Sequence, residues 1–336
     1  MIAVTGRGIA IPIVGDLELI RSVGSDSRRP LSLVPLAPLD TTGVRPMPLS
    51  PSSRPLSRRS FLAGTAAASL ALAFPPAVRS GMRDEDRFLG WPIGAQSYSL
   101  RNFGVVEAVR HLQGLGLHNV ELFGQHLPTD AEGEKLAELL GLFERAEIKV
   151  RAHGVASFGG DHEANRPMFE FAKRAGIGIL TANPEPNSFD SLEKLVEEYG
   201  IRIAIHNHGP GALYDSIDSV VRAVEGKHPS IGACVDTGHF IRSKEDPVVA
   251  VERLGKRVFA LHVKDEEKQE AESRNVIVGT GFLNLEKLFL ALRKVEFPAD
   301  GSLSLEYEAN PDNPVDDMRQ CLDMVAEAIA KVGRFG

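Results

Sequence analysis

The sequence predicts an α/β protein, a (β/α)8 TIM barrel preceded by a disordered leader. Three observations carry this. From residue 90 onward, short β-branched or apolar runs alternate strictly with helical patterns, which implies a parallel sheet. Eight such units fit into roughly 245 residues, the size of one closed barrel. Four of the runs end in a residue able to bind a metal, at the strand end where barrels carry their chemistry.

The strand candidates are Ile93–Ser97, Asn119–Phe123, Ile148–His153, Gly178–Ala182, Arg202–His206, Gly232–Asp236, Val258–His262 and Ser302–Tyr307. Helical periodicity fills the gaps over Val105–Leu115, Glu132–Ala146, Glu163–Ala175, Ser188–Tyr199, Ser216–Glu225, Pro247–Leu254, Leu285–Arg293 and Pro314–Val332. Gly116, Gly176, Gly200, Gly226 and Gly255 follow helix ends, where glycine closes the last turn. The first turn after a strand reads Ser97-Tyr98-Ser99-Leu100-Arg101. It lacks the glycines of a dinucleotide-binding turn, which disfavours a doubly wound open sheet.

Ahead of the barrel, expected over residues 88–333, the composition changes. Residues 1–56 are rich in Pro, Ser and Gly without sustained periodicity, as in a disordered or mis-annotated leader. Residues 57–80 contain Arg58-Arg59, then Ala63 to Phe74 without a charge, then small residues. That order resembles a twin-arginine export signal and predicts a periplasmic or secreted protein. The apolar run is too short for a stable membrane anchor. Such signals are usually N-terminal, so Met47 is the expected start.

The 336-residue chain carries a formal charge of -7. Residues 1–80 hold nine Arg and four acidic residues, leaving -12 for the rest. An acidic body is a poor match for a phosphate backbone, so nucleic acid is not an expected partner. Cys234 and Cys321 fall in a strand and a late helix and are expected as buried apolar side chains, not a disulfide. A homo-oligomer is compatible with all of this.

His206, Asp236, His262 and Glu306 follow the runs IRIAI, IGACV, VFAL and SLSL. Two positions before each stands a small residue: Ala204, Cys234, Ala260 or Ser304. Strand side chains alternate, so each small residue shares a face with its polar partner. Two imidazoles and two carboxylates on one face suit Mn, Zn, Co or Fe better than calcium, which prefers oxygen. His208 and His239 are expected to contact substrate, and His153, Glu121 and Glu308 to line the pocket. Lys264 is expected to steady a developing oxyanion. The charged stretch Asp265–Arg274 reads as a solvated loop or a lid, and Trp91 and Phe103 as core.

Several motifs recur in one order: Gly94-Ala95-Gln96-Ser97-Tyr98-Ser99-Leu100-Arg101, Val120-Glu121-Leu122-Phe123-Gly124, His206-Asn207-His208, Asp236-Thr237-Gly238-His239, His262-Val263-Lys264-Asp265 and Leu305-Glu306-Tyr307-Glu308. With them the chain resembles the xylose isomerase-like family, specifically its sugar phosphate isomerase/epimerase group, over about residues 90–332. The resemblance implies a divalent metal and proton transfer next to a sugar carbonyl. It maps Asp236, His262 and Glu306 onto usual ligands. The fifth-strand ligand is usually Glu, and here it is His206. Keto-sugar epimerases of the family use two metal-bound glutamates flanking the carbon, of which only Glu306 remains. The implied function is a metal-dependent isomerase or epimerase acting on a small sugar or glycoside, with Glu306 or His206 moving the proton. The alternatives are a lyase or hydratase on keto-glycosides, and a non-catalytic carbohydrate-binding barrel. No glycine-rich turn or dense basic cluster marks a phosphate site.

Overall fold

Eight parallel strands close on themselves in a computed structural model that describes residues 86–336. The leader and the twin-arginine segment lie outside the described residues. The barrel strands are β1 (Ile93–Gln96), β2 (Asn119–Leu122), β3 (Lys149–Phe158), β4 (Ile179–Pro184), β5 (Arg202–His206), β6 (Ile231–Asp236), β7 (Val258–Val263) and, after a two-stranded ribbon of β8 (Asp265–Glu266) and β9 (Asn275–Val276), β10 (Ser302–Leu305). Around the ring they run β1-β10-β7-β6-β5-β4-β3-β2. The helices are α1 (Val105–Gly114), α2 (Gly133–Arg145), α3 (His162–Ala175), α4 (Phe189–Tyr199), α5 (Ile217–Val224), α6 (Thr237–Arg242), α7 (Pro247–Leu254), α8 (Leu285–Lys294) and α9 (Val315–Val332). Among the described residues, no helix is long and apolar enough to cross a membrane.

Three elements depart from the sequence reading. Strand β3 continues beyond His153, because after an irregularity at His153/Ala156 it resumes pairing with β4 through Phe158↔Pro184. Helix α6 follows β6 without a loop: the Asp236 Oδ1 that caps it accepts the His239 N–H at 2.7 Å. The charged stretch after Lys264 folds back as the β8–β9 ribbon. Its base is fixed by the buried Asp265 carboxylate, which accepts backbone N–H groups from Glu266, Gly279, Gly281 and Leu283 at 2.8–2.9 Å.

Apolar residues separate into two cores. The larger lies between sheet and helices and includes Trp91, which packs on Phe289 and Phe335 and donates its indole N–H to Gly333 O. The smaller consists of Ala152, Ile179, Ala204, Cys234, Phe259 and Ala260. It contains three of the small residues that precede the polar strand ends, so it fills the barrel beneath them. The β6–β7 register shifts between Ala233 and Cys234, leaving Phe259 without an opposite partner and free to join this inner cluster.

Gly232 makes room for that packing. A Cβ there would lie 2.1 Å from Arg257 O and 2.5 Å from the Phe259 ring. Gly232→Ala is therefore expected to destabilise the barrel by about 1–3 kcal/mol or more, seen as a lower urea midpoint at unchanged slope.

Candidate active site

The closed sheet delivers His206, Asp236, His262 and Glu306 to one point. Register alone aligns part of the set, since Asp236 is opposite His262 and His262 is opposite Ser304, two residues before Glu306. One donor atom from each of the four lies within 4.8 Å of the others, and all four residues are buried. That spread is a little over twice a metal–ligand bond of about 2.1 Å. His206 Nε2 and His262 Nδ1 face each other at 2.9 Å. Asp236 Oδ2 is buried without a hydrogen-bond partner, 3.5 Å from His206 Nε2. A buried carboxylate oxygen that makes no hydrogen bond, beside two converging imidazole nitrogens, fits a divalent cation.

The groups behind this set fix its orientation. Glu121 is fully buried, and its Oε1 lies 2.9 Å from His262 Nε2, leaving Nδ1 directed at the other donors. The same Oε1 accepts from Thr181 Oγ1 at 2.6 Å and Gln96 Nε2 at 3.1 Å, while Oε2 accepts from Ser304 Oγ at 3.2 Å. Burial pushes the Glu121 carboxyl up. The charge and hydrogen bond of His262, with the Thr181 hydroxyl, outweigh it and hold the group below the usual range. Burial likewise opposes charge on His262, but Cys234, Glu121 and Glu306 hold it well above an ordinary imidazole.

Lys264 is the counter-charge. Its Nζ lies 3.4 Å from Asp236 Oδ2, 2.9 Å from Glu306 Oε2 and 2.7 Å from Glu308 Oε1. Burial would lower its affinity for a proton, yet the three carboxylates raise it well above the usual lysine. In return, Lys264 and His262 overcome the burial of Glu306 and hold its carboxyl well below the usual range.

A cavity of about 420 Å³ opens over these groups, and His206, His208, His239, Glu306 and Glu308 line it. His208 and His239 are both pushed down to about 4, by burial foremost, so both are neutral near pH 7. Three sequence expectations change here. Glu121 does not line the cavity but stands behind His262. His153 turns away, its Nε2 2.9 Å from Leu127 O and its ring edge-on to Phe171. Lys264 is 2% exposed and sits behind the carboxylates, so it holds them instead of meeting a substrate oxyanion. Sequence reasoning missed Gln96 and Thr181, whose signal was a polar residue on the inward face of an otherwise apolar strand. It also missed Tyr98 and Phe123 as cavity walls.

Comparison with known proteins fits this geometry. The family model described as "Xylose isomerase-like TIM barrel" matches residues 109–328. The chain belongs to the xylose isomerase-like TIM barrel family. A solved structure of an uncharacterised protein from Parabacteroides distasonis is 30% identical, covering 71% of this chain and 99% of that one with a TM-score of 0.56. A solved IOLI protein with a bound zinc atom shares the xylose isomerase-like fold at 16% identity, covering 72% of this chain and 99% of its own, TM-score 0.59. Among curated proteins, an inosose dehydratase from Clostridium beijerinckii is 25% identical over 142 residues, 37% of this chain and 46% of that protein. One from Lacticaseibacillus casei is 26% identical over 140 residues, 36% of this chain and 46% of that protein. The chain thus spans about half the length of the curated relatives it matches.

Proposed function

We propose that the protein is a metal-dependent lyase that removes a proton next to the carbonyl of a keto sugar and expels an oxygen substituent from the neighbouring carbon. The observation that carries this reading is the single glutamate among the gathered donors. Glu306 lines the cavity, and His206 stands where a second glutamate would be needed for transfer on both sides of one carbon. The matched relatives named inosose dehydratase support the same reaction class.

His206, Asp236, His262 and Glu306 would hold a divalent ion, which when bound acts as a Lewis acid on a carbonyl oxygen and acidifies the adjacent C–H. Glu306, kept ionised by Lys264, accepts that proton. The C–H electron pair becomes the new C=C bond, the C–O bond breaks, and the departing oxygen takes the proton from Glu306. One carboxylate therefore closes the proton balance. Glu308, His208 and His239 line the same cavity and are suited to hydrogen-bond sugar hydroxyls. A second reading, isomerisation or epimerisation, shares the first proton transfer. There the proton held by Glu306 returns to carbon instead of leaving on oxygen.

Incubation with keto-glycosides and free ketoses in deuterated water, followed by NMR, tests the proposal. Release of water or an alcohol with formation of an unsaturated ketone is the expected result, lost in His262→Ala together with bound metal. Deuterium uptake without bond cleavage would establish the second reading instead. Sugar binding that survives metal removal, with no turnover, would leave a binding barrel.

A further inference from the structure

The donors and the cavity histidines come from the C-terminal ends of β5, β6, β7 and β10 and the residues that follow them, one arc of the ring. The facing arc, β1 to β3, has a different character. There the cavity is lined by Gln96, Tyr98, Phe123, Gly124, Gly154 and Val155. Tyr98 and Val155 are 40% and 42% exposed, among the most exposed large apolar side chains of the described residues. The one polar side chain that reaches across this arc with an amide, Gln96, has both ends engaged: Oε1 accepts Tyr98 N–H at 2.9 Å and Nε2 donates to Glu121. A bare sugar presents hydroxyls on every side, and those turned to this arc would meet the Tyr98 phenol but otherwise mostly apolar surface, so most would lose water without replacement.

The aromatic wall is also held in place. The Arg101 guanidinium lies 4.7 Å above the Tyr98 ring, and Phe123 meets that ring edge-on at 5.5 Å and 88°. Arg101 Nη1 donates to Tyr98 O at 3.2 Å and Nη2 to Glu308 O at 2.9 Å. One side chain therefore ties the apolar arc to the backbone of the polar one, fixing the distance between them. A wall fixed in this way, with an aromatic ring left open to the cavity, is organised for an apolar ligand group.

We infer that the β1–β3 arc is an aglycone subsite: the substrate is a keto-glycoside whose leaving group is an apolar alcohol seated against Tyr98, Phe123 and Val155. This rests on the lyase reading above and specifies its leaving group. The proton taken by Glu306 departs on the aglycone oxygen, the glycosidic C–O bond breaks, and the products are a neutral alcohol and an unsaturated keto sugar. No oxidant or reductant is consumed.

Benzyl and methyl keto-glucosides provide the test, because their leaving alcohols are of similar acidity. The wild-type protein is expected to favour the benzyl substrate in kcat/KM by about tenfold, the scale of one aromatic contact. Tyr98→Ala should bring the benzyl-to-methyl ratio close to one, and Tyr98→Phe should restore it. Calorimetry with the unoxidised benzyl and methyl glucosides reads the same preference without turnover. A wild-type protein indifferent to the aglycone in both assays would overturn the subsite, as would a Tyr98→Ala loss equal for both substrates. If neither substrate is cleaved the lyase reading falls, and the calorimetric preference alone then decides the subsite.

Discussion

Lys264→Met is expected to destabilise the protein by about 3–5 kcal/mol, because it leaves a buried carboxylate cluster without its counter-ion. The ammonium is fully buried and lies within 3.4 Å of an oxygen of Asp236, Glu306 and Glu308. Methionine fills a similar volume but carries no charge, so the change isolates electrostatics from packing. The buried Asp236 and Glu306 carboxylates, with the half-buried Glu308 beside them, would then repel one another. The check is urea unfolding of the metal-free protein, with and without added Mn²⁺ or Zn²⁺. A cation bound by Asp236 and Glu306 should restore part of the loss, so the variant's unfolding midpoint should respond more to metal than the wild type's does. A variant as stable as wild type without metal would mean that the cluster is neutralised by protonation instead.

Glu121→Gln is expected to weaken divalent-metal binding about 10- to 100-fold with the fold intact. The carboxylate makes no contact with the cavity, yet it holds His262 Nε2 at 2.9 Å and so decides which ring nitrogen faces the donors. Glutamine preserves shape and an oxygen acceptor but removes the negative charge behind the imidazole. Titration of the metal against a competing chelator measures the change directly, and unfolding of the metal-free variant controls for structure. Wild-type affinity in the variant would show that backbone and packing alone orient His262.

Much of this site is written locally in the chain. His206, Asp236, His262 and Glu306 each close an apolar run, and a period-two pattern is enough to turn them to one face. The barrel then has only to close for them to meet. The small residues Ala204, Cys234 and Ala260 carry the same periodic signal, and they do form the inner cluster. What the pattern cannot supply is depth and partnership between distant strands. Glu121 was legible as a strand-end carboxylate, but its place behind His262 depends on a contact spanning 141 residues of sequence. Lys264 looked like a lysine reaching into the pocket, whereas three carboxylates from β6 and the β10 end draw it beneath the surface. The β8–β9 ribbon was hidden because its strands are two residues each, too short for any alternation to register.

The Asp265 clasp has a practical corollary. By accepting amide protons from residues on both sides of the excursion, one carboxylate ties off Glu266–Leu283 at its stem, much as a knot closes a loop of thread. The hairpin tip is pinned a second time, where Arg242 Nε donates to Ala271 O at 2.8 Å and Gln269 Nε2 donates to Glu245 O at 3.2 Å, so a reporter peptide spliced in there would sense the packing of the helix that carries His239.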